Sequence, residues 1–181
     1  MSLINRHKKM LHFEKNADGK YQYVGNWQIF REDGNKETKK VIILLCIIVF
    51  GIICMGLLPG TSIHTWYVMA PYAFSFLTAG LTTFYSVSFI TSHWVLMEQE
   101  HKNGLGMISF FSLLTLILML ATCVGQIVYI LRAENDTVIS DIVIAILAFA
   151  ASAASMVLRY RVKHRWHWEL ISEKERQRLM N

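Results

Sequence analysis

The chain predicts an all-α integral membrane protein built as a bundle of four transmembrane helices, and three observations carry that expectation. Apolar residues make up 54% of the 181 positions, above the about 45–50% of soluble domains, and charged residues only 17% against about 25%. The charges are segregated. Between Val41 and Leu158 they are confined to Glu98, Glu100, Lys102, Arg132, Glu134, Asp136 and Asp141, and all but Asp141 fall in short breaks between apolar runs. Finally, each of the four runs reaches the ~17–25 residues that a helix needs to cross a bilayer. The predicted layout is an N-terminal arm (1–40), a four-span domain (41–161, spans at about 41–58, 67–97, 105–131 and 138–158) and a basic tail (162–181).

The arm holds two turn signals, Asn16-Ala17-Asp18-Gly19 and Glu32-Asp33-Gly34-Asn35, whose glycines supply the positive φ such turns use. Between them, Lys20 to Phe30 is rich in aromatic and β-branched residues, and Leu11 to Lys15 alternates apolar and polar. A short hairpin or three-stranded meander is expected. About forty residues do not bury a core alone, so Phe13, Tyr21, Tyr23, Trp27 and Phe30 are expected to contact the membrane face, the bundle or a partner protein.

The first span is apolar all round, which predicts a place at the bundle's edge. Gly51 and Gly56 offer one close helix contact at a spacing other than GxxxG, and Pro59-Gly60 ends the helix. Trp66 and Tyr67 anchor the second span at an interface, with Pro71 near its start. At ~1.5 Å per residue, 67–97 is about 45 Å long, so it must tilt or project beyond a ~30 Å hydrocarbon core. Trp94 marks its far interface. Ser75, Thr78, Thr82 and Ser86 are spaced 3, 4 and 4 apart, with His93 seven further on, and so share one helical face.

Residues 98–104, with His101, Lys102 and Asn103-Gly104, read as a tight polar loop. The third span carries a second stripe, Ser112, Thr115, Thr122 and Gln126, with Met119 in the gap. Asp136 is a candidate N-cap for the fourth span. There Asp141, Ala145, Ala148, Ser152, Ser155 and Arg159 form a small-residue face suited to close backbone packing. The helix is expected to continue to Trp168 with an apolar edge of Leu158, Val162, Trp166 and Leu170. Arg159, Arg161, Lys163 and Arg165 beside Trp166 and Trp168 then read as an interfacial helix against anionic lipid headgroups.

Seventeen of the eighteen Lys and Arg residues flank one side of this arrangement: the arm, the 98–104 loop and the tail. The positive-inside rule therefore places both termini in the cytoplasm of a plasma membrane protein. The first 40 residues contain no apolar signal core, so the first span is expected to act as an uncleaved targeting signal. The pI of about 9.2 follows from those flanking charges, which serve topology and lipid rather than nucleic acid.

No enzyme signature is present: HExxH, GxSxG, a Walker loop and paired mid-span aspartates are all missing from the sequence. No cofactor and no metal is expected. His93 with Glu98, Glu100 and His101 matches no ligand spacing, and His164 and His167 lie in a basic segment that repels divalent cations. Cys46, Cys54 and Cys123 all fall within apolar runs and read as small buried hydrophobes. Asn135-Asp136-Thr137 is a glycosylation sequon pressed close to two spans.

Asp141 is the one carboxylate within a span, and two readings compete for it. It stabilises the N-terminal turn of its helix, paired with Arg132, Tyr129 or Gln126, or it binds a cation or proton. The hydroxyl stripes likewise either bond back to their own helices and glue the bundle, or line a narrow hydrated path. The absence of ionisable groups at mid-depth favours glue. The expected function is a non-enzymatic subunit or scaffold that docks partner proteins through its cytoplasmic segments, with self-association through the spans compatible. The alternative is a small oligomeric channel or transporter using Asp141, Gln126, Thr122, Thr82 and Ser86 as a polar path.

Overall fold

A computed structural model describes residues 13–15, 21–23, 27–30, 34–59, 62–91, 95–132, 139–166 and 168–171. Four helices dominate: α1 (Gly34–Leu57), α2 (Trp66–Thr91), α3 (Glu98–Arg132) and α4 (Ile139–Tyr160). All four are long and apolar enough to cross a membrane. Among the described residues, five short strands accompany them: β1 (Phe13–Lys15), β2 (Tyr21–Tyr23), β3 (Trp27–Phe30), β4 (Val95–Met97) and β5 (Trp168–Ile171). Helix α3 packs on both α2 and α4, and α1 packs chiefly on α4 and less on α2.

The packing turns the hydroxyl stripes inward beside an apolar core and leaves many large apolar side chains on the outside. Ser75, Thr78, Thr82 and Ser86 on α2 and Ser112, Thr115, Thr122 and Gln126 on α3 are all buried, whereas Phe50, Phe74, Phe84, Phe110, Ile146 and Phe149 are exposed. Helix α1 has a buried face too, apolar beyond its first turn: Val41, Leu45, Ile48, Ile52 and Met55, spaced 4, 3, 4 and 3 apart. A uniformly apolar span gives no sign of that face, because only its neighbours select it. Its two glycines serve different contacts. Gly51 lies against Ala151 and the Leu147 carbonyl of α4, each 3.6 Å from where a Cβ would sit. Gly56 instead makes room for Tyr72, whose hydroxyl donates to the Ile52 carbonyl at 3.0 Å.

Three boundaries differ from the sequence expectation. Helix α1 opens at Gly34, inside the expected turn. Helix α2 stops at Thr91, and the chain becomes extended at Val95–Met97 where helix was expected. Helix α3 begins at Glu98, so most of the expected polar loop is its first turns. Glu98 and Glu100 suit a helix N-terminus, and Gly104 serves packing rather than a turn. A Cβ there would lie 3.1 Å from the Phe89 ring.

The strands also pair differently. β1 and β2 form the expected antiparallel hairpin, with Phe13 opposite Tyr23 and Lys15 opposite Tyr21. β3 does not join them. It is the centre of a separate three-stranded sheet ordered β4-β3-β5, with Trp27 opposite both Met97 and Ile171, and Phe30 opposite Trp168. Arm, α2–α3 connection and tail therefore meet at one end of the bundle, called here the sheet end.

The tail is not a continuous interfacial helix. After Tyr160 the chain makes a π-helical turn (Arg161–Arg165), closed by Trp166 N donating to Arg161 O at 3.2 Å, and then extends. The extra residue per turn swings Trp166 inward onto Phe89, their rings stacked at 5.7 Å, with Val162 buried beside them. Trp166 Nε1 donates to Glu37 Oε2 at 3.4 Å, and Arg161 Nη1 donates to both Glu37 oxygens at 3.2 Å. Lys40 Nζ completes the cluster at 2.5 Å from Oε1. Glu37 is 3% exposed and sits in the first turn of α1, where the positive end of the helix also favours its charge. Breaking a buried ion pair by removing one partner costs about 3–5 kcal/mol, and less where the other partner reaches water. Glu37→Ala is therefore expected to destabilise the detergent-solubilised protein by about 2 kcal/mol, read from its thermal unfolding. An unchanged melting temperature would mean that the tail is held by the sheet alone.

Candidate functional site

The residues most able to do chemistry or binding fall in three places along the bundle: the far end around Asp141, the hydroxyl column between α2 and α3, and the Glu37 cluster with its sheet.

At the far end, Asp141 is fully buried in the first turn of α4, and so is Ser62 in the short 3-10 turn Ser62–His64. Asp141 Oδ1 accepts two hydrogen bonds from Ser62, from its N–H at 3.1 Å and from its hydroxyl at 2.5 Å. Beside it, Ser140 Oγ donates to the Pro59 carbonyl at 3.0 Å. The turn after α1 is thus stitched to the start of α4 across 79 residues of sequence. The sequence offers Arg132, Tyr129 and Gln126 as partners for Asp141. Ser62 escapes notice because a lone serine in a polar turn carries no periodic signal. The visible hint is only that a carboxylate in a first helical turn has backbone N–H groups within reach.

Gln126 belongs to the same end. Cys123 of α3 lies beside Ala145 of α4, with Sγ 3.7 Å from the carbonyl, and Gly125 of α3 packs on Tyr67 and Val68 of α2. These contacts put Gln126 at about the depth of Asp141, on the inward side of α3. It is fully buried, yet neither its amide nitrogen nor its oxygen is hydrogen-bonded. The expected Gln126–Asp141 bond is therefore not made.

In the column, nearly every hydroxyl turns back on its own helix. Ser75 donates to Tyr72 O at 2.6 Å, Thr78 to Ser75 O at 3.1 Å, Thr82 to Thr78 O at 2.8 Å and Thr122 to Leu118 O at 3.0 Å. On α4, Ser152 and Ser155 do the same, to Phe149 O at 2.7 Å and Ala151 O at 2.9 Å. Thr115 Oγ1 lies 3.0 Å from Thr78 Oγ1 and 2.9 Å from Phe111 O, and its single proton serves one of them. Among the described residues, that contact is the one hydroxyl pair bridging α2 and α3. Ser86 Oγ is buried without a partner. His93, Trp94, Asp136 and the sequon lie outside the described residues.

At the sheet end, the predicted headgroup ligands divide. Arg161 and Trp166 are engaged by Glu37, and Arg159 donates to the Ser109 carbonyl at 3.0 Å, so these three work inside the fold. Lys163 is exposed. Glu37 itself is unmarked in the sequence because its main partners lie 124 and 129 residues away. Of the cysteines, Cys123 is buried, whereas Cys46 is exposed on the outside of α1, contrary to expectation.

A buried amide left unpaired costs about 1–3 kcal/mol. Gln126→Leu is therefore expected to leave stability unchanged or raise it by about 1–2 kcal/mol, measured by thermal unfolding in detergent and in lipid nanodiscs. A loss of similar size would show that the amide is bonded in the native protein. No family model, curated protein or solved structure matches this chain.

Proposed function

We propose that this chain is a non-enzymatic multi-pass membrane subunit or scaffold, lying in the plasma membrane with both termini in the cytoplasm. In this reading it docks partner proteins through the assembled sheet end. The observation that carries it is the β4-β3-β5 sheet, in which arm, α2–α3 connection and tail contribute one strand each. Short edge strands, and a separate hairpin of aromatic sequence in the same arm, are features to which a partner adds a strand or on which it packs an apolar side chain. The bundle's polar groups support the same reading, since most are consumed by bonds within and between helices and are not presented to a substrate.

The hairpin is the part to test, because among the described strands β1 and β2 pair only with each other. Deleting residues 1–23 is expected to leave the bundle's unfolding temperature unchanged. It should abolish co-purification of other polypeptides in fixed ratio after gentle extraction from native membranes. Full retention of partners by that variant would count heavily against the docking role. Orientation rests on the charge count, seventeen basic residues against one. Tags at both termini are accordingly expected to be digested in inside-out vesicles and protected in intact cells, and the reverse pattern would invert the proposal.

The second reading is a small oligomeric channel or transporter, favoured specifically by the unbonded Gln126 amide and Ser86 hydroxyl inside the bundle. A purified homo-oligomer with no other polypeptide bound would shift weight to it. Asp141, Thr122 and Thr82 would then share the path, and the Gln126→Leu protein would lose flux in proteoliposomes while keeping its fold.

A further inference from the structure

We propose that the outer groove between α1 and α2 is a binding site for one acyl chain of an anionic phospholipid, whose headgroup is held at Lys39. This inference rests on the membrane reading and is independent of the docking role.

The groove exists because α1 leans on α4 and only partly on α2. It is a cleft of about 520 Å³, lined by Ile42, Cys46, Val49 and Phe50 of α1 and Thr83 and Val87 of α2. The lining is apolar throughout, hydrocarbon apart from the Cys46 thiol. Its one hydroxyl, on Thr83, donates to Ala79 O at 2.8 Å and so is spent within its own helix. A surface of that kind has nothing to offer a polar ligand. Nor does it suit a further transmembrane helix, which docks through small residues and interhelical hydrogen bonds. The α1 wall is instead bulky and branched, with Phe50 68% exposed. An aliphatic chain conforms to such a wall without leaving any donor or acceptor unpaired.

Charge gives the lipid its class and its direction. Lys39, Ile42, Cys46, Val49 and Ile53 follow spacings of 3, 4, 3 and 4, so Lys39 caps the same helical face that lines the groove. It is exposed. The one carboxylate in this turn, Glu37, points the other way and is neutralised by Lys40 and Arg161. Lys39 therefore places a positive charge on the groove's rim at the sheet end. The other end of α1 runs through Gly56 and Leu57 to Pro59 with no basic residue. A phospholipid binds with its phosphate at Lys39 and one chain running down the groove toward Ile53. This relocates the lipid contact from Arg161 and Trp166, which the Glu37 cluster occupies, to the first helix.

The test uses the full chain in mild detergent. It is incubated with equal amounts of phosphatidylglycerol and phosphatidylcholine of identical chains and read by native mass spectrometry. One retained phospholipid per chain is expected, with phosphatidylglycerol preferred. At ~1 kcal/mol per basic residue near a headgroup, Lys39→Gln should cut that preference about fivefold. Val49→Trp and, separately, Thr83→Phe fill the groove from its two walls and should abolish retention of both lipids with the helical circular dichroism unchanged. Undiminished retention in both groove-filling variants would overturn the site. An unaltered preference in Lys39→Gln would overturn the headgroup assignment, and Lys39 is exposed enough that its replacement leaves the fold intact. A chain carrying Cys54→Ser and Cys123→Ser keeps Cys46 as a reporter inside the groove. Efficient Cys46–Cys46 crosslinking in vesicles would place a second copy there and overturn the lipid proposal, whereas no crosslink is expected.

Discussion

Hydrocarbon accepts and donates no hydrogen bonds, and in the membrane reading proposed above that constraint accounts for the arrangement of this chain. Four stretches fold as helices because only a helix satisfies its own backbone within one segment. The same constraint governs the side chains. Serine and threonine are tolerated on α2, α3 and α4 because most of their hydroxyls reach a carbonyl three or four residues earlier on the same helix, as Thr82 does with Thr78 and Thr122 with Leu118, Ser86 being an exception. Such a bond uses up the proton without needing a neighbour. The helices then come together on faces whose polar demand is already met, with the Thr115–Thr78 contact added across the seam. Gln126 stands out against this background. Its longer side chain holds two donors and two acceptors too far from the backbone to be met in the same way.

Where the bundle ends, bonds between distant segments replace local ones. At the far end Asp141 takes both hydrogen bonds of Ser62, which fixes the α1–α2 turn over the start of α4. At the sheet end Glu37 gathers Lys40, Arg161 and Trp166. Both carboxylates lie in the first turn of their helices, Glu37 on α1 and Asp141 on α4, where the helix termini favour negative charge. The bundle is thus closed at both ends by an acid that a helix N-terminus makes tolerable and a remote residue makes specific. The π turn after α4 belongs to the same device, since it leads directly into Trp166, which stacks on Phe89 and donates to Glu37.

Helix α1 is the least enclosed of the four. Gly51 lets it approach α4 closely, and Gly56 lets the Tyr72 hydroxyl reach the Ile52 carbonyl at its far end. Toward the sheet end no comparable small residue draws α1 onto α2, and the cleft lined by Ile42, Val49 and Val87 is the result. Two glycines in a span of otherwise branched residues therefore decide which neighbour the helix touches and where it stands away.

The number and rough position of the four long apolar helices were legible in the sequence, because hydropathy and run length are local properties. So were the inward faces of α2, α3 and α4, marked by hydroxyls and small residues at helical spacing. Helical periodicity also foretold that Leu158, Val162 and Trp166 share one face, although not that a π turn would carry the last of them inward. The partners were not legible. Nothing local links Ser62 to Asp141, Glu37 to Arg161, or Trp27 to both Met97 and Ile171, since such pairings depend on how helices dock over separations of 79 residues and more in most of these cases. The start of α3 was misread for a related reason. Asn103-Gly104 is a turn signal by composition, but in this chain the glycine is the gap into which Phe89 fits. Residue type and spacing determined which surfaces seek burial, and only the tertiary structure decided what meets them, because contact energies act between segments that the sequence sets far apart.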